Sequence, residues 1–309
     1  MKPYWQGVFP AVTTQMHRDG SVDLAATARH LEVLIDSGVG GLVMCGSLGE
    51  NQSLEPAEKR AVVEAAIGVA RGRVPVLGGV AETSTGAACS YVRDCRALGA
   101  EGFMVMPAMV YRGDEREVLG HLRAVARATD APLMIYNNPI SYGNDVTPAM
   151  FARLAEIDTI VAMKESSGDT RRITDIRNEV GDRFAIFTGV DDLVLESAVL
   201  GIDGWVAGIG LAFPYENQRL WDLTVQGKWE EARDLYRWYT PLLHLDVSTK
   251  LVQNIKLAMQ EVGLGSEWVR APRLQLTGAE RSRVLGIIRQ GIEARPKPAP
   301  AAKQKKRAR

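Results

Sequence analysis

The stretch VAMKESSGD, Val161 to Asp169, carries an apolar strand-like run straight onto a lysine. A lysine at a strand end commonly lays its stem along apolar surface and keeps its ammonium in water. Buried instead, Lys164 gives up its proton cheaply and becomes a nucleophile for carbonyl carbon. Three other strand-like runs end on residues suited to the same chemistry. GGLVMCG leads into SLGENQSL, so Gly46 and Gly49 flank Ser47 and Leu48 in a tight turn whose backbone N–H groups can face a small anion. APLMIYNN brings Tyr136, a phenol able to move protons. FAIFTG runs into VDD, offering Asp191 and Asp192, the second of which suits a helix cap. Each has a plain reading too, as an ordinary turn, an aromatic lid or a cap. Their convergence on one mouth is what would make a Schiff-base pocket.

Convergence needs a fold that brings strand ends together. Apolar runs at 7–14, 40–46, 74–81, 102–108, 131–138, 160–166, 184–189 and 204–210 alternate with amphipathic stretches such as DLAATARHLEVLIDSG (23–38) and PAEKRAVVEAAIGVARG (56–72). This alternation predicts parallel strands with right-handed helical crossovers. Eight such units close into an α/β fold of the (β/α)8 TIM-barrel type, with chemistry at the C-terminal ends of the strands. An open doubly wound sheet is the alternative, weakened because no G-x-G-x-x-G follows the first strand. The expected organisation is a barrel over 1–212 and C-terminal helices packed on it over 213–295. Those helices fall near 214–226, 228–263 (broken at Pro241) and 279–293, and residues 296–309 form a disordered basic tail.

Composition narrows the function classes. The 309 residues carry 37 Lys plus Arg against 37 Asp plus Glu, so no overall field draws the chain to nucleic acid or membrane. Cys45, Cys89 and Cys95 show no metal-ligand spacing, and their odd number argues against a disulfide framework. MKPYWQGVFPAVTT has no continuous apolar signal region, and no apolar run is long enough for a bilayer, so a cytoplasmic protein is expected.

GSLGE, YNNP and MKES, with 28 positions from Tyr136 to Lys164 (164 − 136), make a specific set. With them the chain resembles the dihydrodipicolinate synthase / N-acetylneuraminate lyase family of class I aldolases, from Tyr4 to about Arg295. The resemblance implies a pyruvate-like 2-keto or 2-imino acid bound as a Schiff base to Lys164. Its carboxylate would lie on the amides of Ser47 and Leu48, and Tyr136 and Ser47 would serve proton transfer. Gly46, Gly49, Ser141, Asp191 and Gly208 would line the substrate. A homotetramer with no metal or organic cofactor is implied as well.

Departures from the family pattern bear on substrate. Synthases carry Y-N-x-P-x-R, the arginine gripping the second substrate's carboxylate; YNNPIS puts Ser141 there. Their threonine pair is Ser47 and Leu48 here. Ala108 and Met109, within MPAMVYRGD, replace the tyrosine lent by a neighbouring subunit, and Tyr111 comes two positions late. The spacing in GVDD matches the sugar-acid lyases. GSLGENQSLE, PAMVY, YNNP, VQNIKLA and EWVRAPRL most resemble the hydroxyproline-catabolic branch. The expected activity is therefore that of a 1-pyrroline-4-hydroxy-2-carboxylate deaminase, releasing ammonia and 2-oxoglutarate semialdehyde, rather than a synthase. The alternatives are a 2-keto-3-deoxy sugar-acid aldolase or dehydratase, an N-acetylneuraminate lyase-like aldolase, then a dihydrodipicolinate synthase, a non-catalytic keto-acid-binding barrel, and nucleic-acid binding through residues 295–309.

Overall fold

Eight short strands carry the architecture of the computed structural model, which describes residues 4–107 and 110–296. They are β1 (Gly7–Val8), β2 (Leu42–Met44), β3 (Val76–Val80), β4 (Gly102–Val105), β5 (Leu133–Asn137), β6 (Ile160–Glu165), β7 (Ala185–Thr188) and β8 (Gly204–Trp205). All pair in parallel, in the order β1-β8-β7-β6-β5-β4-β3-β2. A bridge between Ala11 and Val43 joins the two ends of the sheet, with Val12 N donating to Val43 O at 2.9 Å. The fold is a (β/α)8 TIM barrel. Each expected run holds one strand, shorter than the apolar run itself, because the apolar residues continue into the buried turns beyond the ladder.

The strands are almost wholly buried on both faces, as parallel strands under crossover helices must be. At their N-terminal ends the barrel is floored by aromatic rings. Trp5 and Phe9 lie 6.2 Å apart by ring centroid, and Phe9 and Phe187 5.2 Å apart, edge to face. These rings occupy the places of absent side chains: a Cβ on Gly41 would meet Phe9 Cε1 at 2.2 Å, and one on Gly204 would meet Phe187 Cε1 at 2.1 Å. The floor leaves the opposite, C-terminal end as the open mouth.

Among the described residues four helices follow the barrel: Pro214–Val225, Trp229–Leu243, Leu251–Glu261 and Gly278–Glu293. The expected break at Pro241 is displaced. Proline removes one N–H but permits the turn it starts, so the helix runs on to Leu243 and the chain breaks over 244–250. Residues 108–109 and 297–309, which include the departed tyrosine segment and nearly all the basic tail, lie outside the described residues. No helix among the described residues is long and apolar enough to cross a membrane.

Candidate active site

Tyr136 and Lys164, 28 positions apart in sequence, are register partners on β5 and β6. Lys164 is only 6% exposed, and its Nζ sits 4.1 Å from the centroid of the Tyr136 ring. No ion pair or hydrogen bond to this ammonium occurs among the described residues. Burial therefore lowers the lysine's pKa, opposed by the charges of Asp246, Tyr142 and Asp191. Gly189, just past β7, makes the space: a Cβ there would lie 2.1 Å from Lys164 Cε. Nothing in the sequence set this glycine apart from any other strand-end glycine.

The two strand ends are locked by their own motif residues. Asn137 Nδ2 donates to Glu165 Oε2 at 3.0 Å and to Asp145 Oδ1 at 3.2 Å, while its Oδ1 accepts Val146 N at 2.8 Å. Arg172 closes the cluster through Asp145 at 2.9 Å. All of Asn137 and nearly all of Glu165 are buried, so these polar groups are satisfied inside and hold β5 against β6.

The glycine turn after β2 is bracketed by two left-handed non-glycine residues, Cys45 (φ 54°) and Glu50 (φ 57°). Glu50 N donates to Ser47 O at 3.1 Å and Asn51 N to Gly46 O at 3.3 Å. Gly49 is required sterically, since a Cβ would stand 2.9 Å from Cys45 Cα. A Cβ on Gly46 would meet only Met104 Cε at 3.4 Å, so that position is less constrained. Among the described residues the N–H groups of Ser47 and Leu48 donate to no protein acceptor, leaving two adjacent donors for an anion.

Ser47 finds a partner that sequence reasoning missed. Its hydroxyl bonds to that of Tyr142, and the Tyr142 ring packs edge to face on Tyr136 at 5.9 Å. Tyr142 ends the short helix Pro139–Tyr142 that YNNP begins. Its neighbour Ser141 is exposed, with its N–H given to Asn138 Oδ1 at 2.9 Å. That helix thus turns Tyr142, not Ser141, toward the lysine, and the only signal in the sequence was a tyrosine six places after Tyr136. Burial pushes both phenols up to about 12; for Tyr136 the neighbouring Asn138 and Ser47 side chains pull the other way.

Asp191 is at the mouth, but its oxygens are spoken for. Oδ1 accepts Trp205 Nε1 at 2.9 Å, Oδ2 accepts Ile209 N at 2.8 Å, and Gly208 N approaches both at 3.1 Å. Four donor contacts on a fully buried carboxyl tie Asp191 into the turn after β8. Burial raises its pKa to about 6 despite those donors. Gly208 lies in that turn. Asp192 points elsewhere, pairing with His244 at 2.7 Å.

The C-terminal helices reach the glycine turn through a buried ion pair. Lys256 Nζ contacts Glu50 Oε1, both side chains wholly buried, and donates to Trp268 O at 2.8 Å. Arg270 N donates to Glu50 Oε2 at 3.0 Å, and the Arg270 guanidinium grips Glu58. The segments VQNIKLA and EWVRAPRL therefore clamp the turn of GSLGE from behind. A cleft of about 460 Å3 between 15–33 and 263–268 includes none of the residues around Lys164.

The model of the Dihydrodipicolinate synthetase family matches residues 4–291. The chain belongs to that family. It is 30% identical to the 4-hydroxy-tetrahydrodipicolinate synthase of Methanothrix thermoacetophila, over 92% of this chain and 96% of that protein. It is 31% identical to the synthase of the same name from Pelobacter propionicus, over 92% and 98%. Among solved structures, the dihydrodipicolinate synthase of Acinetobacter baumannii complexed with pyruvate aligns with a TM-score of 0.88 at 26% identity, covering 93% of this chain and 98% of that one. The family's enzymes are class I, Schiff-base lyases acting on small keto acids.

These relatives overturn the expected deaminase. Synthases match over more than nine-tenths of the chain, which favours aldolase chemistry over deamination. Two of the segments that had pointed to the hydroxyproline branch, VQNIKLA and EWVRAPRL, are the clamp behind the glycine turn. These two report how the barrel is braced, not what it binds.

Proposed function

We propose that the protein is a pyruvate-binding Schiff-base aldolase of the synthase type. The observation that carries this reading is Lys164 itself, buried over the Tyr136 ring with no ion-paired or hydrogen-bonded partner among the described residues. The neutral Nζ adds to C2 of the keto acid, and loss of water leaves a protonated imine that acidifies C3. Removal of a C3 proton gives the enamine, which attacks the carbonyl carbon of an aldehyde. The new alkoxide takes a proton, and hydrolysis of the imine returns the lysine. The free amides of Ser47 and Leu48 hold the carboxylate. Tyr136, Ser47 and Tyr142 relay the protons, the last within the same chain.

Residues 213–295 serve this site from outside by bracing Glu50 through Lys256. The expected homo-oligomer has a candidate face in Val110 and Ile140, 87% and 76% exposed beside the mouth, which light scattering of the wild type and a Val110→Lys, Ile140→Lys variant tests. The decisive experiment on the chemistry is borohydride reduction in the presence of pyruvate. Mass is added irreversibly at Lys164; labelling of another lysine instead sinks the assignment. Pyruvate consumption with aspartate semialdehyde then tests the synthase-type condensation.

A further inference from the structure

Asp246 belongs to none of the barrel strands. It lies in the turn after helix Trp229–Leu243, and that turn delivers its carboxyl to the mouth. The carboxyl rests directly on Gly208: a Cβ at that glycine would come within 2.2 Å of Oδ1 and 2.7 Å of Cγ. Only a residue without a side chain lets the carboxylate stand there. Neither oxygen has a hydrogen-bond partner among the described residues, and Oδ1 is closed off from solvent. Its charge acts on Lys164, Tyr136 and Asp191.

The contrast with Asp191 is direct. Asp191 accepts from an indole and two amides, and so has a structural account. Asp246 is half-buried and accepts from no group among the described residues, and its Oδ1 is closed off from water without a donor, which costs stability. Burial and the neighbouring Asp191 raise its pKa well above the ordinary carboxyl range, which disposes it to share a proton. A fold has no use for such a group; a ligand bearing a donor does.

We propose that Asp246 is a substrate-contacting residue that takes a hydrogen bond from a hydroxyl or ammonium group on the aldehyde reactant. The donor lies on the carbon chain beyond the imine carbon. This rests on the aldolase reading above and adds to it the chemistry of the second reactant.

Pyruvate consumption is followed with glyceraldehyde, with aspartate semialdehyde and with propanal, which offer a hydroxyl, an ammonium and neither. The wild type prefers a donor-bearing aldehyde to propanal. Asp246→Leu raises KM for that aldehyde by at least about tenfold and leaves propanal unchanged. It keeps pyruvate-dependent borohydride labelling of Lys164, and its Tm is unchanged or higher, since a carboxyl oxygen closed off from water without a donor is gone. Asp246→Asn retains a carbonyl acceptor, so it recovers most of the affinity for a hydroxyl and little for an ammonium, which tells the two donors apart. Gly208→Ala reproduces the KM rise with the carboxyl still present, because its Cβ displaces it. The inference is overturned by an unchanged KM in folded Asp246→Leu, by equal loss with propanal, or by a wild type indifferent to the donor. A lower Tm in both Asp246 variants overturns it too, by showing a structural role. Absence of labelling in the wild type brings down the aldolase reading, and this inference with it.

Discussion

Lys164 and Lys256 are both buried lysines whose pKa burial lowers, yet they do opposite things. Lys256, at the seam between barrel and C-terminal helices, is wholly buried and held by Glu50 and the Trp268 carbonyl. Lys164, at the mouth, keeps 6% exposure and faces an aromatic ring, with no ion-paired or hydrogen-bonded partner among the described residues and only the more distant charges of Asp246 and Asp191 acting on it. Desolvation alone therefore does not make a nucleophile. A paired lysine keeps its proton and its position; an unpaired one beside a free anion site is available for carbonyl chemistry.

Removing each lysine separates the two roles most sharply. Lys164→Met abolishes pyruvate-dependent labelling and turnover, and thermal unfolding shows a smaller loss of stability than Lys256→Met, because no hydrogen-bonded ion pair is broken even though Asp246 loses a neighbouring positive charge. A marked loss of stability would erase the distinction from Lys256. In the wild type, the rate of imine formation rises with pH and levels off below 10.5, the ordinary lysine value, since the lowered pKa brings the neutral amine into reach earlier.

Proton transfer comes next in size. Tyr142→Phe and Ser47→Ala each remove one hydroxyl of a bonded pair while leaving the turn amides intact. Each lowers the turnover number by about 10²–10⁴-fold, with a smaller change in KM for pyruvate. The double variant costs little more than either single one if the hydroxyls act as one relay. An unchanged turnover number in Tyr142→Phe removes it from the mouth chemistry.

At the seam, Lys256→Met leaves Glu50 buried without its cation and destabilises by about 3–5 kcal/mol, read from denaturant unfolding. Borohydride labelling of Lys164 survives where the variant remains folded, with a raised KM for pyruvate as the glycine turn loosens. Full stability would show that the seam pair is dispensable.

The smallest effect concerns a buried base with no catalytic part. His30 donates from Nε2 to Leu211 O at 2.8 Å, and burial lowers its pKa from 6.5 to about 4. Between these values the unfolded chain binds the proton and the folded chain refuses it, so this contribution to stability is lost as pH falls from 6.5 toward 4. The loss amounts to roughly 3 kcal/mol at most. Unfolding curves of wild type and His30→Gln should converge in pH dependence only if His30 is not the source.

The alternation of apolar runs and amphipathic stretches determined the barrel, because parallel strands buried on both faces and helices with one apolar face leave few other solutions. Local pattern also placed Lys164, Tyr136 and the Ser47 turn at strand ends, since a strand's end is set by where its own apolar run stops. What it could not decide was which of several similar groups would be engaged. Asp191 read as a free acid until Trp205 and Ile209 were seen to bind it, and Tyr142 stayed hidden behind Ser141 until a one-turn helix chose between them. VQNIKLA read as a mark of substrate until Lys256 was found on Glu50, 206 positions away in sequence. Asp246 drew no notice at all, because nothing local to it shows that its turn ends on Gly208. Hydrogen-bond partners and empty volumes come from segments far apart in the chain, so they exist only once the tertiary structure has brought those segments together.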